Sequence, residues 1–418
     1  MGSRAARRMT ITSPQSRMNR SLLATIAFGF LMTLSSGLGQ TFFISLFNPE
    51  LRQTFSLSHG DRGGLYFAGT LLSAVTVVWL GKLIDQIDLW LYTACVTVGL
   101  AVACLTIARV ESAVGLVLAF FLLRLFGQGL SGHTGVTTAS RVRSEFRGRT
   151  VSLVSLGYSV GEIILPIASL FLISRFGWRQ TWNLYAILEL FLIAVLVQIF
   201  LRYIDISKTT TNKDIRDPDS WTRAQVIRDK RFLRIAPAIF SPPIISTALF
   251  FHQQSLAESR EFTLSYWATG IAAYSVAAVL ASLTTGVLVD RFSGAKMVRF
   301  YLLPIMLAVL IATWLQTSML PFIYYALIGI TVGVGTPSVS ALWLELYGTE
   351  HIGAIRALTH ACMVFGSALG PAVFGYLLDA GVNWNSLLLC SALWMALATL
   401  LLIKTDLRAV RFQTQVSV

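Results

Sequence analysis

The sequence predicts an all-α polytopic membrane protein, with twelve transmembrane helices in two pseudo-symmetric six-helix halves. Three observations carry that prediction. Apolar stretches of about 20 residues recur along the 418-residue chain, each long enough to cross roughly 30 Å of hydrocarbon. Only 13% of the residues are charged against 55% hydrophobic, with a mean hydropathy of +0.68, a balance that no ordinary soluble surface tolerates. The second part of the chain also repeats the first, since residues 81–85 read GKLID and residues 286–290 read GVLVD.

Taken in order, the spans fall near 21–47, 61–80, 89–108, 114–138, 150–174, 182–203, 233–256, 264–286, 297–315, 320–344, 355–378 and 385–403. The first is too long for a signal-peptide core and lacks a small-residue cleavage pattern, so it reads as a retained helix. The expected organisation is a tail (1–20), a six-helix bundle (21–203), a linker (204–232), a second bundle (233–403) and a tail (404–418). In the linker, DPDSWTRAQVIRDKRF suggests a short amphipathic helix capped by Asp219 or Ser220, with Trp221, Val226 and Ile227 resting on the membrane.

The net charge of +13 is distributed by side. Arg4, Arg7, Arg8, Arg17 and Arg20 fall on one face with Lys82, Arg141, Arg143, Arg147, Arg149, the basic linker, Arg291, Lys296, Arg299, Arg356 and the C-terminal Lys404, Arg408 and Arg411. The opposite face receives only Arg52, Arg62, Arg109, Arg175, Arg179 and Arg260. The positive-inside rule then puts both termini in the cytoplasm and the chain in a plasma membrane, as in a bacterial inner membrane. The basic excess reports topology, and nucleic acid is not expected as a partner.

The GKLID offset also aligns Gly148 with Gly353, Gly161 with Gly366 and Pro166 with Pro371. Six helices per half is an even number, so the halves share an orientation, and substrate sites in such proteins lie near the midplane between them. Gly81 and Gly286 are expected to turn the chain as helices 2 and 8 leave the membrane. Asp85 and Asp290 are expected to face a helix N-terminus or a nearby arginine such as Arg141 or Arg143, forming a gate.

The G-x-L-x-D pattern after helix 2, repeated after helix 8 and followed there by Arg291 and Lys296, resembles the signature loop of the major facilitator superfamily. The first copy departs from it, because Gln86-Ile87-Asp88 lacks the basic residues, which implies a weaker gate. RLFGQG (Arg124, Gln128, Gly129) resembles that family's helix-4 motif, and FGSALGPAVFG on helix 11 its helix-5 glycine–proline motif, shifted to the second half. GYSVGEIILPI, FGWR and GLGQTFFISLF are similar to the oxalate–formate and monocarboxylate branch. The resemblance implies the major facilitator fold and secondary active transport by alternating access, with a small organic anion carried in proton symport or exchange.

Arg124 is the conspicuous residue, an arginine within GLVLAFFLLRLFGQGL. A guanidinium at the centre of a membrane helix costs about 2.5–3.5 kcal/mol or more, so such residues face protein or water and mark function. Glu162 is its candidate counter-charge. Arg143, in the connection between helices 4 and 5, stands 19 residues from each, which places both near the same depth. The repeat puts Gly329 and Ser367 at the corresponding second-half positions, so the pair occurs once. Three readings stay open: a permanent ion pair fixing helix packing, Arg124 attracting an anion while Glu162 takes a proton when the pair opens, or two charges that never meet.

Candidate substrate contacts are therefore Arg124, Gln128, Gln40, His252 and Tyr158, with Glu162 for proton coupling. His252 reads equally as a solvated helix-end histidine. Gly157, Gly161 and Pro166 on helix 5, and Gly366, Gly370, Pro371 and Gly375 on helix 11, form close-packing ridges. Cys95, Cys104, Cys362 and Cys390 read as packing residues, Glu345 as solvated, and Glu189 has no evident role. No P-loop, HExxH or cysteine–histidine cluster is present, so no ATP, metal or other cofactor is expected, and no enzyme. The expected partners are a small-molecule substrate, protons and the lipid bilayer, with the chain a monomer. The branch it resembles often adds a basic residue on helix 8 or helix 11; here helix 8 has none before Arg291 and helix 11 only Arg356, so the resemblance implies a monocarboxylate or neutral solute over a dianion. The alternatives are proton-coupled efflux of amphipathic compounds and, in another class, a non-transporting membrane sensor.

Overall fold

In the computed structural model, residues 14–142, 144–204, 221–348 and 351–407 are described. Among the described residues, twelve helices are long and apolar enough to cross a membrane. We number them α1 (Asn19–Gly39), α2 (His59–Asp85), α3 (Leu89–Ala108), α4 (Ala113–Ser140), α5 (Gly148–Phe176), α6 (Trp178–Leu201), α7 (Lys230–Phe251), α8 (Leu264–Phe292), α9 (Gly294–Trp314), α10 (Leu320–Tyr347), α11 (Ile352–Asp379) and α12 (Trp384–Ile403). The face where α2 and α4 end is called the terminal face, and the other the far face.

Short loops start these helices with polar caps. Ser58 and Asp61 form a capping box on α2, Asp88 accepts from Trp90 N and Leu91 N, Ser112 from Gly115 N, and Asn383 from Ser386 N. Each satisfies backbone donors that the helix itself leaves unpaired. The linker helix Arg223–Arg228 is capped by Thr222 and Gln225. It docks on the end of α10, where Trp221 N donates to Tyr347 O at 2.9 Å and Val226 is fully buried, while Ile227 stays exposed. Asp219 and Ser220 lie outside the described residues.

The first span is broken where a single helix over 21–47 is expected. It tightens at Ser36–Gly39, becomes extended at Gln40 (φ −82°, ψ 151°), and resumes as short helical pieces from Thr41 to Phe55. The cause is a backbone crossing. Gly39 lies directly on Gly127, so a Cβ at Gly39 would run into Leu123 O, Gln128 N and Gly127 Cα. Opposite this crossing α4 is itself irregular, wound as π-helix over Leu123–Ser131, with Ser131 Oγ donating back to Phe126 O at 2.7 Å. Overpacking a rigid site costs about 1–3 kcal/mol or more, so Gly39→Val is expected to lower thermal stability by that amount. A melting curve of the purified protein checks this, with Gly286→Val, where a Cβ meets nothing within 4 Å, as the neutral control.

Several of the ridge glycines lie where helices come close. Gly157 presses α5 onto Phe30 O and Thr33 of α1, Gly366 and Gly370 bring α11 onto Ile244 of α7, and Gly375 meets the start of α2 at His59 and Gly60. Pro166 and Pro371 sit inside continuous helices. Of the four cysteines Cys104 is buried, but Cys95 and Cys390 lie exposed on the outer surface and are not packing residues.

The two copies of the loop motif differ. Gly81–Asp85 is a tight 3-10 turn, and Arg141 pairs with Asp85 at 2.5 Å. Gly286 and Asp290 lie within the unbroken helix of α8, so no turn occurs there, and Asp290 has no ion-pair partner among the described residues. Glu345 takes over that work: its carboxylate accepts from Gly294 N at 2.6 Å and Ala295 N at 3.0 Å, capping α9. It is a half-buried structural cap. Arg143 lies outside the described residues.

Candidate functional site

A cavity of about 130 Å³ lies at mid-depth between the two six-helix halves. The first half supplies Gln40, Thr41 and Phe42 from the α1 break, Arg124 and Gln128 from α4, and Glu162 from α5. The second half supplies Ser246, Thr247 and Phe250 from α7, Tyr274 from α8 and Ser367 from α11. Four sequence-predicted residues therefore meet here: Arg124, Gln128, Gln40 and Glu162.

Arg124 is 1% exposed and has no carboxylate partner among the described residues. Its Nη1 donates at long range to Gly39 O (3.3 Å) and Thr41 Oγ1 (3.4 Å). The guanidinium carbon stands 5.4 Å from the centre of the Tyr66 ring, whose hydroxyl is bonded to Thr41 Oγ1 at 2.6 Å. Carbonyls at a helix end carry partial negative charge, and an aromatic face attracts a cation. The α1 break thus provides what the leucine-rich α4 cannot. Arg124 Nε keeps no partner, so the guanidinium's hydrogen-bonding capacity is not exhausted.

Glu162 does not pair with Arg124. Ser275 Oγ of α8 donates to Glu162 Oε2 at 2.5 Å and lies 3.2 Å from Ser159 O. A hydroxyl has one hydrogen to give, and the shorter contact takes it. The guanidinium and the carboxyl thus line one cavity without being spent on each other, and the carboxyl's bond crosses between the halves.

His252 and Tyr158 are placed elsewhere. The Tyr158 hydroxyl packs over Gly132 of α4, and Tyr158 does not line the cavity. His252 is 1% exposed and sits in a polar seam that joins the halves at the far face. There His252 Nε2 is 2.8 Å from Pro371 O, and its Nδ1 is 3.4 Å from Arg62 Nη2. Arginine can only donate, so Nδ1 accepts and Nε2 carries the hydrogen given to Pro371. Neither a cavity contact nor a solvated helix-end residue, His252 is a buried connector.

The same seam holds Asn48 Nδ2 on Phe251 O (2.6 Å), Gln253 Nε2 on Ser45 Oγ (2.8 Å), and Asp379 accepting from His59 N (3.0 Å) and Gly60 N (2.6 Å). Arg62, expected as a far-face surface charge, is 2% exposed here and stacks on Phe251 at 5.2 Å. Among the described residues no hydrogen bond or ion pair joins the halves at the terminal face. On that side Phe67 of α2 meets Phe365 of α11, and an apolar gap lined by Leu71, Val75, Trp79 and Val364 lies beside them. The cavity is therefore sealed toward the far face.

Sequence reasoning missed Thr41, Ser246, Thr247, Tyr274 and Ser367 of the cavity. Ser367 could have been found, because it is the repeat equivalent of Glu162. Among the described residues no cluster of histidine, cysteine, aspartate or glutamate is arranged to hold a metal ion.

The fold has solved counterparts. A bacterial homologue of the human lysosomal transporter Spinster, in an inward-facing and occupied conformation, superposes with a TM-score of 0.70 at 13% identity, covering 93% of this chain and 98% of that one. Its inward-facing and unoccupied form gives 0.67 at 14% identity, covering 94% of each chain. No curated protein matches the sequence. The family model of the Major Facilitator Superfamily matches residues 29–353 and 246–416. Twelve spans, two six-helix halves and a polar cavity between them agree with that match, and the chain belongs to the Major Facilitator Superfamily, as a membrane transporter.

Proposed function

We propose that this chain is a secondary active transporter that moves a small organic monoanion, such as a monocarboxylate, together with a proton or in exchange for another anion. The observation that carries the reading is the cavity in which Arg124 and Glu162 both stand without pairing. A guanidinium offers charge-assisted, directional donors to a carboxylate. Gln40 and Gln128 flank it and can orient a substrate through neutral amide contacts. A cavity of about 130 Å³ suits a solute of a few heavy atoms. Pockets for drug-sized ligands measure about 300–1,000 Å³, which disfavours efflux of large amphipathic compounds.

The bond between Glu162 and Ser275 supplies a route for coupling. The anionic carboxylate accepts the Ser275 hydrogen strongly, and charge-assisted hydrogen bonds are roughly twice as strong as neutral ones. A proton on Glu162 weakens that bond and loosens one tie between the halves at mid-depth. With both termini cytoplasmic, as the arginine distribution favours, the sealed far face makes this the inward-facing state. In this reading the Asp85–Arg141 pair braces α2 against α4 during rocking, and Asp290 and Arg291 act at the same face of the second half.

Flux into proteoliposomes under an imposed pH gradient tests the proposal. One proton carried per anion should give about tenfold accumulation per pH unit. Glu162→Gln is expected to keep anion exchange and lose that accumulation. Accumulation of a neutral solute alone, or an unchanged gradient response in Glu162→Gln, would overturn the reading.

A further inference from the structure

Two stretches of the described chain wind as π-helix, Leu123–Ser131 in α4 and Leu188–Ile193 in α6. Each holds one buried ionisable side chain, Arg124 and Glu189. π-helical turns are rare and concentrate at functional sites. Both side chains grip the same irregular piece of α1. Arg124 donates to Gly39 O, and Ser35 Oγ donates to Glu189 Oε2 at 2.9 Å. Ser35 is the last residue before the tight turn Ser36–Gly39. The cavity uses Arg124, whereas Glu189 lies outside it.

The surroundings of Glu189 are apolar. One turn along their helices stand the buried Ala186 and Ile193 of α6 and Met32 of α1. From α3 the titratable neighbour is Cys104, which in turn interacts with Tyr185 of α6. From α1 the facing polar group is the Ser35 hydroxyl. Among the described residues no basic side chain lies within ion-pair distance. Glu189 Oε1 is buried and has no hydrogen-bond partner. The carboxyl thus has a single hydroxyl donor and one orphaned oxygen.

Such a group makes different demands in its two protonation forms. The anion only accepts, and holds the Ser35 hydrogen. The acid can itself donate to the Ser35 oxygen, and in that arrangement the Ser35 hydroxyl is free to turn back onto a carbonyl of the preceding turn of α1, a local bond that bends helices. Four residues beyond Ser35, the chain delivers Gly39 O and then Thr41 to Arg124.

We propose that Glu189 is a proton-binding site outside the transport cavity, whose occupancy sets the shape of the α1 break and thereby the seat of Arg124. The inference rests on the cavity being where Arg124 works, but not on Glu162 carrying the transported proton.

The test uses the full chain in nanodiscs, with Cys95, Cys362 and Cys390 replaced by serine and Gln40→Cys as a reporter on the cavity wall. Maleimide labelling is followed from about pH 5 to about pH 9 and corrected for the thiolate fraction. The corrected rate is expected to change about threefold or more with pH. That change should vanish in Glu189→Gln and survive in Glu162→Gln. Infrared titration should show a protonated-carboxyl band that Glu189→Gln lacks and Glu162→Gln keeps. Ser35→Ala should keep the band but lose the labelling change, which separates proton binding from its transmission. A labelling profile in Glu189→Gln that tracks the parent, or no band specific to Glu189, overturns the proposal. Should Glu189→Gln fail to fold, a parental profile in Ser35→Ala overturns it equally. Failure of Glu162 as the coupling residue would appear instead as gradient-driven flux that Glu162→Gln does not change.

Discussion

Arg124→Gln is expected to reduce carboxylate uptake more than a hundredfold while leaving the protein about as stable as before. The loss follows from burial. A desolvated charge facing an anionic ligand is worth about 2–5 kcal/mol when one partner is removed, and about 3 kcal/mol already exceeds a factor of 100. Stability should hold because Arg124 has no carboxylate to leave behind unpaired. A glutamine amide can still donate toward Gly39 O, and the membrane interior no longer has to hold a guanidinium. Uptake of labelled carboxylates by proteoliposomes, beside a thermal melt, reads both halves of the expectation. Full uptake in Arg124→Gln would reduce the guanidinium to a strut for the α1 break.

The second large effect belongs to the far-face seam. Asp379 accepts two backbone hydrogens at the start of α2, at 3.0 and 2.6 Å, and so ties the last turn of α11 to the opposite half. Hydrogen bonds to charged groups contribute about 1.5–3 kcal/mol, and an anion at a helix N-terminus adds to this. Asp379→Ala is therefore expected to shift the equilibrium between closed and open far face about 10- to 100-fold toward open. Spin labels at Gln53 and Ala380, one on each side of the seam, should show a longer distance population in the variant. Asp61→Ala is the control. Asp61 closes the capping box of the same helix from within its own half, accepting from Ser58 N at 3.2 Å, so its loss should destabilise α2 without moving the two populations.

Helix number, their order and the depth of the charged residues were legible because they depend on runs of apolar residues and on counting. Arg124 and Glu162 stand 19 residues either side of Arg143, and that count does bring both into one cavity. What counting could not give was the partner. The guanidinium settles on Gly39 O and the Tyr66 ring because Gly39 and Gly127 let two backbones touch, a contact between distant stretches that leaves no local periodicity. His252 was illegible for a related reason. At the end of an apolar run it reads equally as solvated, and only the approach of α2 and α11 buries it. Glu345 escaped because its partner is the backbone of another helix, which no side-chain pattern announces.

The cavity carries one fixed cation and one fixed anion, both from the first half, while the repeat puts Gly329 and Ser367 in their places in the second. Empty and proton-free, it is electrically neutral. A monoanion and a proton entering together add nothing to that total, so on the proposed stoichiometry neither the loaded nor the returning carrier moves net charge across the bilayer. A charge crossing the full field would feel about 2.3 kcal/mol per 100 mV; this cycle would feel none of it. Changes in membrane voltage at constant pH should leave the flux where it was.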